Sequence, residues 1–172
     1  SGFLVRDLAF LSVGVGPGLF TGLRIGLVTA KFLADPFNLS CVPVSSLLAL
    51  AWQSREVGKA RVWALGDAKS RRVYALGVNE FLPDFSAPAG EEVAMSPEEA
   101  AGQMRAGDIL VGEGALLYEK LWPEGTRILS ENFHALSAQA VGALGAKRYA
   151  LALTCAATEL EPKYLKTGQP HL

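Results

Sequence analysis

VGVGPGLFTGLRIGLVTAKFLA, residues 13–34, decides how the rest of the chain is read. Leu8, Ala9, Phe10 and Leu11 lead into it, and with Val13 and Val15 they suit a buried strand that Gly14, Gly16, Pro17 and Gly18 break in a glycine turn. From Phe20 the residues favour helix, with only Gly22 and Gly26 against them. Asp35-Pro36 stops the pattern, because the residue before a proline is pushed out of the α region. The spacing predicts a helix of about four turns. On it Gly22, Gly26 and Ala30 recur every four residues as a nearly bald stripe beside an apolar ridge of Leu23 and Leu27, with Leu33 further along.

Each helical glycine costs ~1 kcal/mol relative to alanine, so the pair needs a use. Close packing inside the chain is one, and the approach of a helix from another subunit is a second. A phosphate cradle built on Gly14, Gly16 and Gly18 is a third, since a glycine turn feeding a helix N-terminus presents free N–H groups. That third use lacks the Lys-Ser/Thr ending of a Walker loop, and its spacing does not match G-x-G-x-x-G. Spacing alone does not separate the first two.

Working outward, residues 39–44 read as a short strand with Pro43 at its end or edge. Ser45 or Ser46 caps a helix so apolar, through Leu47, Leu48, Leu50, Ala51 and Trp52, that it is either deeply buried or part of an interface. Residues 54–59 are polar and suit a crossing between lobes. Residues 61–65 and 72–78 form a β-hairpin, whose turn carries Asp67, Lys69, Arg71 and Arg72. That cluster is expected to be a solvated tip, although its chemistry could hold phosphate or a partner's carboxylate. Residues 81–90 read as a loop. Ser96-Pro97-Glu98-Glu99 is a capping box that opens a helix ending at Gly107. A strand over 108–111, a turn at 112–114, a helix over 115–121 and a strand over 127–129 then alternate as in a parallel α/β layer. From Asn132, Phe133, Leu136, Ala140 and Leu144 share one face of a helix that runs to Lys147-Arg148 and has His134 in its first turn. Residues 167–172 form a loose tail.

Composition narrows the function. The chain has 172 residues, 50% of them apolar, with sixteen basic against seventeen acidic side chains and a net charge of −1. The electrostatic footprint of an autonomous nucleic-acid binder is missing. Cys41 and Cys155 have neither the spacing of a disulfide framework nor that of a metal site, and are expected to be buried, reduced thiols. No secretory leader pattern and no run of eighteen apolar residues occurs, which favours the cytoplasm and no membrane. His134 and His171 are far apart and outside any H-x-x-x-H pattern, no serine lies in G-x-S-x-G, and paired glutamates fall at expected surfaces or helix starts. No metal site and no catalytic constellation is expected.

Residues 14–34 closely resemble the signature segment of the TsaB family, the non-catalytic subunit of the bacterial machinery for tRNA N6-threonylcarbamoyladenosine (t6A). Three later pieces agree in order. DAKSRRVY at 67–74 looks like the family's D-A-R-R-x-x-V-Y segment, LVGEGA at 110–115 like its G-x-G turn, and LEPKYLK at 160–166 like its closing strand. Leu19 stands where the family usually has serine, and Ser70 where it has arginine or lysine. The resemblance implies a glycoprotease-like (peptidase M22-like), actin-like/Hsp70-ATPase-like two-lobed α/β fold with an incomplete first lobe. Residues 1–58 would be the remainder of that lobe, 59–158 the second lobe and 159–172 a closing strand and tail. It also implies a scaffold that binds and activates a catalytic paralogue, assembled with an ATPase subunit, or a homodimer when alone. Gly22, Leu23, Gly26, Leu27, Ala30 and Leu33 would form the partner interface. No cofactor is implied for this chain; ATP, metal, the threonylcarbamoyl-adenylate and tRNA would be handled by the partners. The rival reading is an ATPase or phosphotransferase of the same fold using the turn at 14–18.

Overall fold

The computed structural model describes residues 2, 4–57, 60–79, 81 and 90–165. Strand β1 (Phe10–Gly16) runs into the glycine turn, and helix α1 (Phe20–Ala34) follows over the span the sequence predicts. Asp35-Pro36 ends it in a 3-10 turn, and Asn38, left-handed at φ 50°, redirects the chain into β2 (Ser40–Ser45). β2 lies parallel to β1, Phe10 opposite Ser40 and Val13 opposite Pro43, so α1 is the crossover that parallel pairing requires. The Ser45 hydroxyl accepts the Leu48 N–H at 3.1 Å and starts α2 (Ser46–Trp52). Leu47 to Ala51 are all buried, so this helix is a core element.

β3 (Val62–Asp67) and β4 (Val73–Val78) form the expected hairpin. β5 (Val93–Met95), α3 (Pro97–Ala101), β6 (Ile109–Val111), α4 (Glu113–Leu117), β7 (Arg127–Ile128) and α5 (Ala138–Ala150) complete the fold. The second sheet has the order β5-β4-β3-β6-β7, antiparallel up to β3 and parallel beyond it. Five layers result. α1 covers the outer face of β1 and β2 through Val13, Val15, Leu27, Ala30 and Ala34. α2 and α5 fill the space between the two sheets with Leu47, Leu50, Val141 and Leu144, against Val42, Val44, Val62 and Leu76. α3 and α4 close the far face over Trp63, Leu65, Val73 and Leu110.

Several boundaries differ from the sequence reading. α3 stops at Ala101 rather than near Gly107, because Gln103 and Met104 donate to Ala100 and Ala101 three residues back and wind the chain off the helix. Only Gly112 is a turn residue; Glu113 and Gly114 already belong to α4, and the expected helix to Leu121 splits into α4 and a 3-10 turn at Glu119–Leu121. Gly112 has φ +100°, and a Cβ there would overlap the carbonyl of Leu65. α5 starts at Ala138, not after Asn132, with the Ser137 hydroxyl accepting the Ala140 N–H at 3.1 Å. Residues 160–165 form no strand: Pro162 has no N–H, and one bond, from the Lys163 N–H to the Val15 carbonyl (2.7 Å), ties them to β1. The expected loop over 81–90 lies, between its end residues, outside the described residues, as do the boundary at 58/59, the tail and His171.

Candidate functional site

α1 carries apolar residues on two sides. Leu27, Ala30 and Ala34 are buried against β1, and Leu23 is partly covered. The interface expected from sequence is corrected here for Leu27 and Ala30, which are only 4% and 9% exposed and form the helix's inner side. Gly22, Gly26 and Leu33 do face outward. Around them lie Ile25, Val28 and Phe32, exposed by 63%, 66% and 78%. Ile25, Val28 and Phe32 recur at helical spacing beside the glycine stripe, outside the interface that the sequence predicts.

A Cβ built on Gly22 or Gly26 meets nothing within 4 Å. Packing among the described residues therefore does not account for either glycine, and nothing there offsets their cost of ~1 kcal/mol each. The charged residues of α1 are turned aside. The Arg24 guanidinium lies 3.9 Å from the Phe20 ring centre and faces the Tyr164 hydroxyl, and Lys31 donates to the Thr158 carbonyl at 3.3 Å. The outward face is thus apolar, uncharged and partly flattened by glycine, which is unusual for helix surface left to solvent. Beside it, a trough of about 400 Å³ runs along β1, lined by Leu11 to Gly14, by Gly26, Thr29 and Leu33, and by the start of α5.

A second concavity, about 370 Å³, opens between the glycine turn, α2, the hairpin and α4. Of the three turn glycines, Gly16 has φ +104° and would place a Cβ 3.0 Å from both the Lys163 carbonyl and Leu23, so it serves the fold. Gly14 and Gly18 meet only ordinary contacts. Pro17 offers no N–H, and the acidic side chains of Asp67 and Glu113 line the same cleft. The Lys69 side chain, bonded to Asp67, holds that carboxyl below the usual aspartate range, and the Lys69 N–H adds a bond of 2.8 Å. Asp67 thus turns into the cleft, while the Lys69 and Arg71 side chains stand out at the solvated tip.

His134 is not in the first turn of α5. It sits buried ahead of that helix, its Nε2 2.7 Å from the Leu129 carbonyl and its Nδ1 accepting the Gly112 N–H at 3.0 Å. Together these contacts pin the Gly112 turn to the segment that follows β7. Among the described residues no three His, Cys, Asp or Glu side chains gather as a metal-binding group. No described helix is long and apolar enough to cross a membrane.

The family model described as tRNA N6-adenosine threonylcarbamoyltransferase matches residues 1–160. The tRNA threonylcarbamoyladenosine biosynthesis protein TsaB of Escherichia coli K12 is 30% identical over 173 residues, covering 98% of this chain and 75% of that protein. The chain belongs to the TsaB family. The Haemophilus influenzae TsaB protein is likewise 30% identical, over 96% of this chain and 73% of its own length. In three dimensions the chain is similar to YeaZ from Pseudomonas aeruginosa, with a TM-score of 0.83 and 28% identity over 95% of this chain and 76% of that one. The five layers are accordingly those of the actin-like/Hsp70-ATPase-like fold that the TsaB resemblance implies, with a two-stranded sheet representing the first lobe among the described residues.

Proposed function

We propose that this TsaB-family chain serves tRNA N6-threonylcarbamoyladenosine formation in the cytoplasm as a non-catalytic subunit. It docks a paralogous catalytic subunit, or a second copy of itself, through the outward face of α1. The observation that carries this reading is the pair Gly22 and Gly26, open to within 4 Å of nothing, inside an uncharged apolar face with Ile25, Val28 and Phe32. A helix from another chain laid along those glycines would bring backbones close and cover the exposed side chains together. An ATPase subunit, with ATP and metal, completes the assembly. The rival nucleotide-binding reading is opposed by the cleft's chemistry, because a phosphate entering it would meet Asp67 and Glu113 and a turn whose Pro17 lacks a donor.

Gly26→Leu tests the docking face. Association, followed by light scattering of the chain alone and by capture of the catalytic paralogue, should weaken by roughly tenfold or more, equivalent to ~1.4 kcal/mol. The isolated chain should keep or slightly raise its Tm, since leucine is the better helix former and the site is open. A variant that associates like the wild type would show that the partner sits elsewhere.

A further inference from the structure

The chain's two cysteines, 114 positions apart, meet in the fold. Cys41 in β2 and Cys155, after α5, are partners in an isolated antiparallel bridge. The Cys41 N–H donates to the Cys155 carbonyl at 2.9 Å and the Cys155 N–H to the Cys41 carbonyl at 2.8 Å. Residues that exchange both bonds stand directly opposite, with Cα atoms about 5.5 Å apart and side chains on one face. A disulfide spans Cα separations of about 4.4–6.8 Å. Its Cβ atoms must come somewhat closer than a directly opposed pair usually stands, and Cys155 is free to give that adjustment because no longer ladder holds its segment.

From this juxtaposition we infer that Cys41 and Cys155 are a dithiol pair that peroxide converts, in the folded chain, to an intramolecular disulfide. Cys41 is fully buried and Cys155 half-buried, so the oxidant reaches Cys155 first. The Cys155 sulfur takes one peroxide oxygen as a sulfenic acid and water leaves; the Cys41 sulfur then attacks the Cys155 sulfur, expelling the hydroxyl as a second water. Two thiol hydrogens are lost, each sulfur gives up one electron and the peroxide accepts two. Burial pushes both thiols above their ordinary range, so proximity and not a standing thiolate makes the pair. The bond would close the loop from 41 to 155 and anchor Ala157 and Leu160, which are packed under α1.

The native chain should be treated with stoichiometric hydrogen peroxide, denatured, alkylated and mapped by mass spectrometry. The expected product is monomeric, has lost two hydrogens and both alkylatable thiols, gives one cross-linked peptide containing Cys41 and Cys155, and reverts with dithiothreitol. Its Tm should rise by about 5–10 °C over the reduced chain. Oxygen uptake at Cys155 with Cys41 still alkylatable, or a cross-link joining two chains, would overturn the inference.

Discussion

Asp108 Oδ2 collects the side-chain N–H groups of Arg61, the indole N–H of Trp63 at 3.0 Å and the backbone N–H of Arg105 at 3.0 Å. Burial pushes this carboxyl up, but the hydrogen bonds from Arg61, Arg105 and Trp63 outweigh it and hold the group below the usual aspartate range. Its contribution to stability is therefore complete above the unfolded-state value near 3.8 and is lost as pH falls through the lower folded-state value. Asp108→Asn should cost about 2–4 kcal/mol at neutral pH, since Arg61 and Trp63 lose a buried charged partner. Denaturant titrations should show the gap to wild type closing in acid; a constant gap would mean that shape and not charge matters there. This cluster was not legible in the sequence. Arg61 and Asp108 become neighbours only because each precedes a strand and Val62 pairs with Ile109 in parallel register. The Ser96–Glu99 box was legible, because its partners are three residues apart and its two bonds, 2.7 and 3.1 Å, are local.

At the scale of the element, α1 shows where pattern reading succeeds and where it stops. Its ends fall at a glycine turn and at Asp35-Pro36, both local signals. Asp35, however, keeps α-region dihedrals (φ −57°, ψ −48°) instead of being pushed out of them, and the α-helix gives way to a 3-10 turn at Pro36, which has no N–H to donate. Its buried side did not follow, because Leu23, Leu27, Ala30 and Ala34 make one apolar stripe and Gly22, Ile25, Gly26 and Leu33 another, and only the position of β1 chooses between them. α5 failed at its start for a similar reason. Asn132 and Ser137 are both acceptable caps, and Gln53, which accepts the Ser137 N–H at 2.8 Å and donates to the Ala135 carbonyl at 3.1 Å, selects the second from far away in sequence. The open glycines give a direct test. Gly22→Ala and Gly26→Ala should each stabilise the isolated chain by up to ~1 kcal/mol, a Tm rise of roughly 2–4 °C apiece. Falling melting temperatures would mean that something in this chain presses on that face after all.

Across the whole molecule, alternating strands and helices announced an α/β fold, but not that the residues after α5 would return to the first sheet. That return adds a second connection between the layers, beside the core that α2 and α5 fill. Lys163 donates its N–H to Val15 at the end of β1, and its Nζ sits 3.2 Å from Glu92 Oε2, close enough for charge pairing though not aligned as a hydrogen bond. Glu92 directly precedes β5, the edge strand of the other sheet, and its side chain is only 2% exposed. The next residue, Tyr164, stacks on Phe20 at the start of α1, ring centres 5.8 Å apart. One short segment thus ties α1, the glycine turn and the far sheet together. Lys163→Met would leave the Glu92 carboxylate buried without its counter-charge, at a cost of about 1–3 kcal/mol; discounting for the partly exposed lysine places the value in the lower half of that range. Glu92→Gln in the same chain should return part of the loss, because the neutral amide no longer needs a cation. A double-mutant cycle by urea unfolding measures this coupling, and the pair carries none of the connection if the single effects add to within about 0.3–0.5 kcal/mol.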